Sequence, residues 1–289
     1  MADNDWFHLD RVVKESIHYF AFCSCHELEK IMTRFFLRLP LALLILIASG
    51  LHAPAQDAGG QGPVVLPGGG VADPAAKFGY VPSKGGGIDA IDLGSGKILW
   101  TTKEANRPLL ATAERLFAQA PVAGKANQVR IVVFDATDKG KKLQVSQPVT
   151  FPDWVSVGVT YGRSFASTAR LHPKKLIYVW EARGWYAGGA RPTPEIEKAA
   201  RKAASGVVQV DLPSTKWHKL DGDQVPKGTP AHVPGEVQKA KVGQQTYVIM
   251  DRPGPKTFQR RRTLQALDAR GTVLWEQEIA APVFLPPLP

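Results

Sequence analysis

At 289 residues the chain can hold one large or two modest domains and bury a core without help from disulfides or metals. Its 27 glycines and 23 prolines exceed ordinary usage and favour many short strands joined by turns over a helical bundle. A net charge of +10 with only two cysteines excludes a disulfide-built scaffold and directs any electrostatic partner toward negative charge.

Residues 1–31 carry six acidic against three basic residues. They read either as an upstream extension ahead of a true start at Met32 or as an amphipathic helix over "WFHLDRVVKESIHYFAF". Both cysteines, Cys23 and Cys25, lie here, and the single residue between them does not match the haem-attachment spacing. Residues 32–55 read as a secretory signal peptide. Arg34 and Arg38 precede a 13-residue apolar stretch from Leu39 to Leu51, and Ala53 and Ala55 put small side chains where a signal peptidase cuts. The stretch falls short of the roughly 20 residues a membrane helix needs, so no stable span is expected after cleavage, an uncleaved anchor being the alternative. The expected location is therefore exported, periplasmic or extracellular. Residues 56–289 keep 31 Lys and Arg against 20 Asp and Glu, a net charge of +11.

Residues 56–76, rich in glycine, proline and alanine, predict a flexible lead to a folded body over 77–283, which a proline-rich tail follows at 284–289. Within the body one pattern recurs: a β-prone run, an Asp, a turn and a hydrophobic return. It occurs as "IDAIDLGSGKILW" ending at Trp100, "RIVVFDATDKGKKL" ending at Leu143, "VVQVDLPSTKW" ending at Trp217 and "TLQALDARGTVLW" ending at Trp275. The acids Asp92, Asp135, Asp211 and Asp268 are separated by 43, 76 and 57 residues, which suits units of roughly 40 to 50 residues plus one insertion. Each unit reads as a tight hairpin in which the Asp accepts backbone N–H groups and a glycine such as Gly96 takes a positive φ. A second strand pair precedes each hairpin, for example in "FGYVPS", "RLFAQAP", "KKLIYVW" and "QQTYVIM", which makes four short strands per unit. One helix is expected over "TPEIEKAARKAASG", capped by Thr193, supported by a Glu197–Arg201 pair and closed by Gly206. The prediction is an all-β, β-propeller-like fold of about four blade-like units of antiparallel strands with one short inserted helix. A stacked sandwich is the alternative.

"AIDLGSGKILW" at residues 90–100 resembles the quinoprotein-type repeat, AxDxxTGKxxW, of β-propellers that bind pyrroloquinoline quinone (PQQ). The resemblance implies that the acid and glycine shape the hairpin while the tryptophan docks one blade on its neighbour. Those roles fall to Ala90, Asp92, Gly96 and Trp100, and to Asp268, Gly271 and Trp275. The copy at Asp135 lacks the tryptophan, and the copy at Asp211, which has Trp217, lacks the glycine. Quinone dehydrogenases of this type generally have eight blades, a calcium ion and often a vicinal disulfide. Residues 77–283 have room for about four blades and contain no cysteine, so neither PQQ nor calcium is expected.

Other chemistry is thinly represented. "GSGKIL" lacks the flanking residues of a phosphate loop, Ser164 has no nucleophile-elbow context, and Asp221 with Asp223 supply too few oxygens for calcium. His172, His218 and His232 have no metal-ligand spacing. The basic runs "DKGKK", "HPKK" and "QRRRT" suit solvated strands or an anionic envelope polymer, and nucleic acid is not an expected partner of an exported chain. Arg183, Trp185 and Tyr186 in "VWEARGWYAGGARP" have the composition of an interface hot spot. The expected function is a non-catalytic scaffold or binding platform for a protein or an envelope polymer. A quinoprotein-like redox enzyme, or a partial propeller completed by another chain, is the alternative.

Overall fold

The computed structural model describes residues 60–158, 163–184, 193–194, 197–198, 201–254 and 260–281, all within the unit Asp57–Pro289. They form four antiparallel sheets and almost no helix, which is the all-β class expected. Sheet 1 runs in the order β1 (Val64–Leu66), β2 (Gly70–Ala72), β3 (Phe78–Pro82), β4 (Ile88–Asp92) and β5 (Ile98–Thr102). Sheet 2 holds β6 (Arg107–Ala111), β7 (Arg115–Val122), β8 (Lys125–Asp135), β9 (Lys141–Val145) and β10 (Val149–Thr150), with β9 and β10 sharing one edge of the long β8. Sheet 3 is β11 (Arg163–His172), β12 (Lys175–Gly184), β13 (Ala203–Asp211) and β14 (Trp217–Leu220). Sheet 4 is β15 (Lys239–Val242), β16 (Gln245–Pro253), β17 (Arg260–Leu267) and β18 (Val273–Ile279).

The core lies between sheets. Along β4 the side chains alternate, so Ile88 and Ala90 join Leu116, Ala118 and Phe134 of sheet 2, while Ile91 joins Tyr247, Leu264 and Ala266 of sheet 4. A strand buried on both faces must be nearly all apolar. Its one interior acid, Asp89, is satisfied by the Thr101 hydroxyl at 2.6 Å. The other face of sheet 2, with Phe117, Ile131 and Val133, packs on Tyr178, Trp180 and Val208 of sheet 3. The far face of sheet 3, with Ile177 and Val179, is covered by Val225 and Val233 from the connection between sheets 3 and 4. Among the described residues no apolar cluster joins sheets 3 and 4.

Two segments depart from the sequence reading. The lead expected over 56–76 already contains β1 and β2, because Leu66, Val71 and Ala72 are buried and Asp73 builds the next turn by accepting the N–H groups of Ala75, Lys77 and Phe78. The helical turn between β12 and β13 is seen in the bonds from Glu197 N–H to the Thr193 carbonyl and from Arg201 N–H to the Glu197 carbonyl, with the Glu197–Arg201 pair at 3.6 Å. Gly206 does not close it. That residue sits inside β13 opposite Trp180, where a Cβ would lie 2.8 Å from the indole nitrogen. No helix among the described residues is long and apolar enough to cross a membrane.

Candidate functional site

The repeat residues gather at one end of the sheets. Asp92 accepts the Ser95 amide and hydroxyl, both at 2.8 Å, Asp135 accepts the amide and hydroxyl of Thr137, and Asp268 accepts the amides of Arg270 and Thr272. The Ser95 hydroxyl and amide hold the Asp92 carboxyl below its usual range, and Thr137 does the same for Asp135. These acids are therefore engaged in shaping turns. Asp211 differs: its carboxylate accepts the Gln209 amide, and Pro213 two residues on has no N–H to offer.

Two of the tryptophan–glycine pairs each join two sheets. Gly96 and Gly140 adopt φ of 73° and 72°, and a Cβ on either would lie 2.6 Å from the ring of Trp275 or Trp100 respectively. Trp275 of sheet 4 thus seats on the turn of sheet 1 and donates its indole N–H to the Leu93 carbonyl at 2.9 Å, while Trp100 of sheet 1 seats on the turn of sheet 2. Burial, followed by the charge of Asp92, pushes the neighbouring Tyr247 hydroxyl up to about 12. Trp217 faces the other way, toward sheet 2, with its indole donating to the Pro148 carbonyl at 2.8 Å. Gly271 has nothing seated on it.

The register explains this difference. Trp100 lies opposite Ala90 and Trp275 opposite Ala266, each two residues before the motif Asp, and each pairing follows a bulge that leaves Leu99 or Leu274 unpaired. β14 has no bulge, so Trp217 lies opposite Val210, one residue before Asp211, and an offset of one reverses the face. In sheet 2 the bulge residue is Leu143, so the tryptophan position belongs to Gln144, opposite Val133.

No family model matches the chain, and no curated protein matches it.

A cavity of about 550 Å³ lies where β1, β2, β6, β11 and the connection 233–237 converge. Its wall is largely apolar, with Asn106, Arg107, Gln119, Ser167, Thr168, Glu236 and Arg262 as polar members. Arg262 is buried and held on both sides, bidentately by Asp251 at 2.9 and 3.0 Å and by Glu236. Within the run at 260–262 it is thus an internal tie. Arg261 pairs with Glu278 at 3.2 Å. Gln119 Oε1 accepts from Ser167 Oγ and from the Tyr178 hydroxyl, each at 2.8 Å. Burial pulls the Arg107 guanidinium below its usual value, against the opposing pull of Tyr178 and Glu236. Sequence reasoning passed over these residues because they come from three sheets and a connection and share no motif. The usable signal was Gln119, a lone amide within the apolar run "LFAQA".

Calcium takes six to eight oxygens, no group of three or more His, Cys, Asp or Glu converges among the described residues, and Glu236, the cavity's one lining carboxylate, is engaged by Arg262.

Of the residues expected to meet a partner, Arg183 stands exposed near the end of β12, 3.4 Å from Glu181. Trp185 and Tyr186 lie outside the described residues. Glu181 ties the connection down by accepting His232 Nδ1 at 2.9 Å and the Val233 amide at 3.1 Å. Burial raises its carboxyl, but these bonds and Arg183 outweigh that and leave it below the usual range.

Proposed function

We propose that this chain is an exported, non-catalytic, propeller-like scaffold that binds an anionic envelope polymer on the end of the sheets carrying the repeat turns. Its motif acids are engaged with their own turn backbones, so in this reading they hold the fold and leave recognition to other residues. The observation that carries the proposal is positional. Lys97, Lys139, Lys216 and Arg270 occupy the turn after the motif Asp in sheets 1, 2, 3 and 4, and all four are exposed. None has an acidic partner within 4 Å among the described residues. The seating of Trp275 on Gly96 and Trp100 on Gly140, with the Gln147 amide bonded to the Thr215 carbonyl, sets the turns of sheets 1, 2 and 3 each against the neighbouring sheet. A row of like charges on one surface concentrates a polyanion and makes its binding sensitive to salt.

Co-sedimentation with an anionic envelope polysaccharide, with neutral dextran as control, tests the proposal. Binding should fall steeply between low and physiological salt. Replacing all four residues together (K97E, K139E, K216E, R270E) should abolish it while leaving the melting temperature within a few degrees of the parent. Undiminished binding by that variant overturns the reading.

A further inference from the structure

We propose that the central cavity binds a small monocarboxylate with an apolar body, its carboxylate held by the Arg107 guanidinium and the Gln119 side-chain amide. This goes beyond polymer binding and involves a different part of the molecule.

Arg107 lies on β6 and pairs across the strands with Gln119 of β7, so the two side chains belong to one patch of the cavity wall. A guanidinium offers five N–H donors. Its hydrogen bond among the described residues is a long one, from Nη1 to the Phe165 carbonyl at 3.4 Å. The carboxylate opposite, Glu236, is engaged by Arg262 and makes no ion pair with Arg107. Gln119 is 3% exposed, and its oxygen is occupied by Ser167 and Tyr178. The amide nitrogen is left with two N–H groups and no acceptor among the described residues. Arg107 is half-buried and these donors line the cavity, where a carboxylate is the acceptor whose two oxygens fit a guanidinium fork.

The rest of the wall sets the remainder of the ligand. Leu66, Val71, Leu109, Val157, Val233 and Val237 line the space, and about 550 Å³ is within the range of small-molecule sites. Glu236 disfavours a second negative charge, which argues against a phosphate dianion or a dicarboxylate. Asp251 and Glu236 bring two negative charges to the one positive charge of Arg262, so Arg107 completes a balanced set of four, and a single carboxylate is the most that this wall accommodates.

Isothermal titration of the full chain with sodium octanoate, octanamide and acetate is the test. Octanoate should bind saturably at one site, with octanamide and acetate each at least tenfold weaker. R107Q should weaken octanoate at least tenfold, and R107K, which keeps the charge but loses the fork, should fall between. The octanoate–octanamide comparison requires no variant and decides the matter even if R107Q does not fold. The fourfold turn variant should bind octanoate as the parent does, which separates this site from the polymer surface. Failure of octanoate to bind, equal binding of octanamide, or an R107Q variant that is folded and unaffected would each overturn the proposal.

Discussion

Sheets 1 and 3 carry nearly the same hairpin and use its tryptophan in opposite directions. In sheet 1 the outer strand bulges at Leu99, and Trp100 turns to the neighbouring sheet's glycine. In sheet 3 the strand is regular, Trp217 turns back onto sheet 2, and Thr215 takes the left-handed conformation, φ 58°, that Gly96 and Gly271 take in their own turns. The motif is thus a two-part device in which the bulge aims the ring and the glycine receives it. Without the bulge the same residue types build a different contact.

The largest effect expected from breaking the docked arrangement is at the rings. Trp100→Ala and Trp275→Ala should each destabilise the fold by about 3 kcal/mol in denaturant unfolding, the cost of emptying a large and partly buried aromatic site. If both variants unfold at the parent's midpoint, the docking role is wrong. A middle-sized effect is expected at the seat. Gly96→Ala adds a Cβ both at positive φ and 2.6 Å from the Trp275 ring, and should cost about 2 kcal/mol. In a Trp275→Ala background that cost should shrink to the conformational part, about 1 kcal/mol, so a double-mutant cycle reads the contact directly. The smallest effect has the opposite sign. Thr215→Gly relieves a β-branched residue of a left-handed conformation and should stabilise by about 1 kcal/mol. A loss of stability there would show that the Thr215 side chain contributes more than its strain costs.

The hairpins were legible in the sequence because an Asp, a turn and a glycine act locally, over five residues, and β4 and β5 flank the turn that Asp92 opens. The tryptophan facing was not legible, since Asp211 to Trp217 and Asp268 to Trp275 differ by one residue and only the presence of a bulge decides what that means. The start of the fold was obscured by composition. "VVLPGGGVAD" is punctuated by Pro67 and three glycines, yet its few apolar residues are enough to add two strands to an existing sheet. The cavity was illegible for another reason, as Arg107 and Gln119, cross-strand neighbours in sheet 2, meet Glu236 and Arg262 only through the packing of separate parts of the chain. The run at 260–262 shows the same limit, because nothing local distinguishes the buried Arg262 from exposed Arg261.

The bulges also decide how the molecule meets other copies of itself. Three of the four outermost strands, β5, β9 and β18, expose a leucine, Leu99, Leu143 and Leu274, each close to half accessible, on an edge with unpaired backbone groups. An exposed apolar edge is ordinarily an invitation to strand-by-strand aggregation. Here the leucine is itself the bulge residue, so the edge kinks where it is most apolar and offers an incoming strand no continuous ladder. β14, the regular outermost strand, guards its edge by another means, with His218 and Lys219 exposed along a strand of four residues. Edge protection and sheet docking are in this way two results of one inserted residue.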